Sequence, residues 1–136
     1  MSATAARTSV ELRVPFHDVD TLRVVWHGHY YKYFEIARTE LFRAHGIDGA
    51  TLLGMGFKMF VMESRCRYVK PLRYDERFSV EAWFCDVDHR IQIAYEVRSV
   101  DALRRVARGT TAIVTTDANG AMLLETPDAI RAKILP

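Results

Sequence analysis

Only one long stretch of this chain has a helical period, while its other long apolar runs alternate. From Tyr30 to Ala44, the residues Tyr30, Tyr33, Phe34, Ala37, Leu41 and Ala44 share one helical face, and Lys32, Thr39, Glu40 and Arg43 fall away from it. A flanking stripe of Tyr31, Glu35, Arg38 and Phe42 puts apolar groups on a second side, so more than one element must cover this helix. Gly46 marks its end.

Before it, Val10, Leu12, Val14 and Phe16 alternate with Glu11, Arg13 and Pro15, the period of a half-buried strand that Pro15 confines to an edge or an end. After it come runs over Phe57–Val69, Phe78–Val87, Ile91–Val100 and Arg105–Thr116. The middle two are joined across DHR, a length that suits a hairpin. TPDAIRAKI places Thr126 as N-cap and Pro127 at the first position of a short C-terminal helix.

A helix followed by four antiparallel strands buries its apolar faces only if the sheet curls around it. The expected fold is therefore α+β, a long central α-helix wrapped by a curved antiparallel sheet of about five strands. The sheet can cover one flank of the helix, and a second copy of the chain is the economical cover for Tyr31 and Phe42.

At 136 residues the chain suits a single domain over 1–136, with the small, polar stretch 1–8 expected to fray. The 19 basic and 17 acidic side chains are interspersed, which argues against a nucleic-acid partner. Cys66 and Cys85 each sit in an apolar run, as free thiols in a reducing compartment would. With neither a signal-peptide core nor a membrane span, the expected location is cytoplasmic.

Chemistry concentrates in residues 16–35, FHDVDTLRVVWHGHYYKYFE, which join the first strand to the helix. Unpaired N–H groups at a helix start carry partial positive charge and can hold an anionic oxygen. A carboxylate facing them across a short loop completes the two parts of an acyl-transfer site, a nucleophile or base and an oxyanion hole. Asp20 is the candidate for the first and the backbone N–H at about His27 for the second. The aspartates and histidines lack any zinc spacing such as H-E-x-x-H, so no metal is expected.

The stretch DVDTLRVVWHGHYYKYFEIARTELFR resembles the signature of hotdog-fold acyl-CoA thioesterases of the 4-hydroxybenzoyl-CoA thioesterase type and their tol-pal-associated relatives. Its pattern is roughly D-x-D-x-x-G-x-V-[YW]-[HYF]-x-x-Y-x-x-[YWF]-x-E-x-A-R. The resemblance implies that Asp20 attacks the thioester carbonyl or activates water, and that the His27 N–H polarises that carbonyl. It also implies substrate contacts from Trp26, His29, Tyr30 and Tyr31, an acyl-CoA or acyl-carrier-protein substrate, no cofactor, and a homodimer assembled into a homotetramer.

The chain departs from the pattern at Arg23, where glycine is usual, and at His29, where a small polar residue is common. Arg23 is a candidate for a substrate phosphate or carboxylate, with a solvated loop arginine as the alternative. Asp18 is read as a support that accepts hydrogen bonds from the loop aiming Asp20. Glu35 and Arg38 are spaced for a helix ion pair. Arg65, Arg67, Lys70 and Arg73 form a basic run whose members are either solvated or available to the phosphates of coenzyme A. Two rival functions remain: a subunit that holds an acyl thioester without cleaving it, and a hydratase or dehydratase.

Overall fold

The computed structural model describes residues 6–135. In chain order the elements are β1 (Thr8–Arg13), a 3-10 turn (Phe16–Asp18), α1 (His29–Ala44), α2 (Gly49–Gly54), β2 (Phe57–Tyr68), β3 (Arg77–Asp86), β4 (Ile91–Ser99), β5 (Arg104–Asp117) and α3 (Asp128–Ile134). The five strands form one antiparallel sheet in the order β1-β3-β4-β5-β2, so β1 and β2 are its edges. The pattern of periods predicted this antiparallel sheet with its long helix, and the resemblance implied the hotdog fold that it forms.

The core forms where α1 lies against the sheet. Tyr30, Tyr33, Phe34, Ala37 and Leu41 are buried on α1. They meet alternate residues of β3 (Phe78, Val80, Ala82, Phe84) and β4 (Ile91, Ile93, Tyr95, Val97), all buried. Phe34 stacks on Tyr95 with ring centroids 4.3 Å apart. Each such side chain contributes about 1.5–3 kcal/mol by leaving water, far more than the tenths that helix propensity supplies per residue. The helix ends in a Schellman motif: Ile47 N–H donates to Phe42 C=O and left-handed Gly46 N–H to Arg43 C=O. Buried Ile47 then seals the end.

Several expectations need correction. The first strand begins at Thr8 and stops at Arg13, because the Val14 N–H turns to Glu76 C=O and Phe16 enters the 3-10 turn, where it is 74% exposed. Of the stretch expected to fray, Arg7 pairs with Glu81 at 3.2 Å and Thr8 pairs with Ala82 in the sheet; residues 1–5 lie outside the described residues. Ala44 is exposed and not part of the helix face in the core. Phe42 needs no second copy to cover it, since it is half-buried and stacks on Phe84 at 6.0 Å.

The six-residue α2 went unread because it is too short to show a period. Thr126 does not cap α3: the Pro127 carbonyl takes the first N–H groups, and Thr126 Oγ1 is buried without a partner among the described residues. Glu35 and Arg38 do approach, at 3.9 Å, but Arg38 also donates to the Tyr95 hydroxyl at 3.1 Å.

Candidate active site

The segment between β1 and α1 folds back on itself before the helix starts. Val19 pairs with Val25 and Val24 with Arg73, so this segment forms a small hairpin laid beside the β2–β3 connection. Its tip is tight: Asp20 N–H donates to Val24 C=O and Arg23 N–H to Asp20 C=O, at 3.0 and 2.9 Å. That closure forces Arg23 to φ +64°, the left-handed region where a side chain costs about 1–2 kcal/mol and glycine is at ease. Where the pattern has glycine, this chain thus carries a strained arginine in the left-handed region.

The two aspartates have separate environments. Asp18 is 1% exposed. Lys32 Nζ donates to both its carboxylate oxygens at 2.7 Å, and the Tyr33 hydroxyl to Oδ2 at 2.6 Å. His29 Nε2 and His17 Nε2 stand 3.8 and 3.7 Å from Oδ1. Burial alone would raise the carboxyl's pKa, but the Lys32 and Tyr33 hydrogen bonds and the Lys32 charge together hold it below the ordinary value. Tyr33 is pushed the other way, first by burial and then by its bond to Asp18. The Asp18 donors therefore come from α1 and not from the loop, as the sequence had suggested, while its backbone carbonyl accepts the Trp26 N–H at 3.0 Å.

Asp20 is only half-buried, and its Oδ1 accepts the Leu22 N–H at 2.9 Å. It lines a cavity of about 280 Å³ with Leu22, Val24, His27, Tyr30, Tyr68 and Lys70. His27 lies two residues before the helix, which opens at His29 rather than at His27. The N–H groups of His29 and Tyr30 are occupied by the carbonyls of Trp26 and His27, at 2.9 and 3.5 Å. Those of His27 and Gly28 have no partner among the described residues. Gly28, the N-cap, brings no capping side chain either, and a Cβ there would meet the Trp26 indole at 2.2 Å.

Of the expected substrate contacts, the structure brings Tyr30 to the cavity with Asp20 and His27. Arg23, Trp26, His29 and Tyr31 do not line it. Tyr30 also accepts the Leu72 N–H on its hydroxyl at 3.2 Å, which ties α1 to the β2–β3 connection. Sequence reasoning missed Tyr68, at the end of β2. Its hydroxyl donates to the His27 carbonyl at 2.7 Å, and its ring meets Tyr30 edge-on at 5.1 Å. Its only sequence signal was its place in the alternation of β2. A larger groove, about 580 Å³, lies on the outer face of the sheet and holds none of these residues.

A model of the thioesterase-like superfamily matches residues 14–134. The chain belongs to that family. It is 38% identical over 68 residues to a protein of Aquifex aeolicus provisionally named an esterase, covering 50% of this chain and 53% of the relative. It is 31% identical over 81 residues to the acyl-CoA thioester hydrolase YbgC of Escherichia coli, covering 60% of this chain and 59% of that one. The matched segments thus span little more than half the length of these two superfamily relatives. The crystal structure of hypothetical protein AQ1494 from Aquifex aeolicus superposes with a TM-score of 0.82 at 28% identity, over 93% of this chain and 98% of that one.

Proposed function

We propose that this superfamily member hydrolyses acyl thioesters, with Asp20 as the attacking or water-activating carboxylate. One observation carries the reading: Asp20 and His27, whose backbone N–H has no partner among the described residues, line a single cavity with largely apolar walls. The thioester carbonyl oxygen sits against the His27 N–H, which stabilises the negative charge that develops on it. Asp20 either bonds to the carbonyl carbon, giving a mixed anhydride that water then opens, or takes a proton from a water that attacks. Both routes end in free acid and thiol. A thiolate leaves readily, so the carboxylate needs no cofactor or metal to assist it.

The substrate in this proposal is an acyl thioester of coenzyme A or of an acyl carrier protein, and the similarity to YbgC supports the former. Half-buried free thiols at Cys66 and Cys85 fit a reducing cytoplasm, and among the described residues no helix is long and apolar enough to cross a membrane. We further propose a homodimer built on the edge strand β2, a platform for the homotetramer. Its 12 residues leave Phe60, Val61 and Met62 more than half exposed, an arrangement that favours pairing with another copy.

Thiol release from short, long and aromatic acyl-CoA substrates tests the activity. Asp20→Asn keeps the oxygen that accepts the Leu22 N–H, so it should fold normally and lose at least about a hundredfold in kcat, roughly 2.7 kcal/mol in the barrier. Saturable binding without thiol release by the wild type would instead support a holding subunit. A change in enoyl absorbance without thiol would support a dehydratase.

A further inference from the structure

We propose that the groove on the outer face of the sheet binds the phosphates of a nucleotide, with Arg67 and Arg108 as its anion clamp. The alternation that turns Cys66 and Gly109 toward α1 turns their neighbours Arg67 and Arg108 outward, where they stand directly opposite each other in the β2–β5 ladder. Like charges in that position repel. Neither guanidinium has a carboxylate partner among the described residues, although the other arginines of the groove do. Arg7 pairs with Glu81 at 3.2 Å, Arg65 with Glu63 at 3.2 Å and Arg105 with Glu96 at 3.0 Å. Glu96 faces Arg108 from β4, but Arg105 and Arg98 already share its carboxylate.

A phosphate group placed here both gains two planar, bidentate donors and cancels an existing repulsion. The groove holds about 580 Å³, within the range of roughly 300–1,000 Å³ typical of small-molecule sites. One end offers a flat wall for a heterocyclic base, since the Arg7 guanidinium lies 3.8 Å over the Trp83 indole. A second copy of the chain fits the face poorly, because arginines outnumber glutamates there and face-to-face stacking would oppose them. The nucleotide has two possible sources, the tail of a coenzyme A substrate, which rests on the proposed hydrolysis, or a free effector, which does not.

Calorimetric titration of the intact protein with adenosine diphosphate and with free coenzyme A tests the site. Millimolar or tighter binding is expected, weakened at least about tenfold in the double variant Arg67→Gln/Arg108→Gln and unchanged in Asp20→Asn. The double variant should melt at or above the wild-type temperature, because it removes a repulsion, so lost binding will not reflect lost folding. Competition then identifies the source: a nucleotide that raises the KM for acyl-CoA at constant kcat occupies the place of the substrate's own tail, and one that binds without changing KM is an effector. Both results support the site, and the titration stands even if no thioester is cleaved. Absence of binding, or binding that the double variant retains, overturns the proposal. So does an oligomer that the double variant loses while neither protein binds nucleotide, which would assign the face to a second copy.

Discussion

Asp18 and Asp20 are two residues apart on one loop and could hardly be placed more differently. Asp18 is sealed in, with the Lys32 amine and the Tyr33 hydroxyl on its oxygens, whereas Asp20 spends one oxygen on its own turn and borders an open cavity. A carboxylate with its hydrogen-bonding capacity filled by the fold is a brace. One that keeps spare capacity at a cavity shared with His27 is open to an incoming group. The motif D-x-D thus places two carboxylates in unlike surroundings, and burial separates them.

The sharpest way to break this comparison is to remove the brace. Asp18→Ala leaves the Tyr33 hydroxyl and the Lys32 amine without their acceptor and should cost about 3 kcal/mol of stability, less than a fully buried pair because Lys32 is partly exposed; denaturant melts measure it. Asp20→Asn should do the reverse, with the hundredfold loss in kcat and a melting temperature close to wild type, and a large drop in both quantities would merge the two roles.

Acid provides a third comparison. Because the folded-state pKa of Asp18 is depressed, its stabilisation is present above the unfolded carboxyl value of about 3.9 and is lost as pH falls through the lower folded value. Melting temperatures of the wild type should therefore fall in acid more steeply than those of Asp18→Asn. The smallest effect belongs to the tip of the hairpin: Arg23→Gly should relieve the left-handed strain and gain about 0.5–1 kcal/mol, net of glycine's greater freedom when unfolded. If instead it weakens substrate binding, read as a raised KM, the Arg23 side chain has a substrate role as well.

Much of this was legible in the sequence because it depends on local period. Most of the α1 face, the succession of one strand, a long helix and four strands, and the hairpin across DHR follow from spacing alone, and the D-x-D loop was placed correctly between strand and helix; the order of the strands within the sheet was not read. What escaped depends on contacts between distant parts. Tyr68 reaches His27 from the far end of β2, and the donors to Asp18 lie fourteen and fifteen residues on, along a helix whose orientation is set by packing. Phe16 continued the alternation on paper, but the turn after Pro15 ended the strand first.

The Tyr68 hydrogen bond has a mechanical consequence. In a trans peptide the carbonyl of one residue and the N–H of the next point in opposite directions within one rigid plane, and the described residues contain no cis bond. Holding the His27 oxygen therefore also aims the Gly28 hydrogen, as gripping one end of a lever sets the other. The end of the edge strand is thus geared to the turn before α1, and a shift of Tyr68 would tilt the whole His27–Gly28 peptide plane.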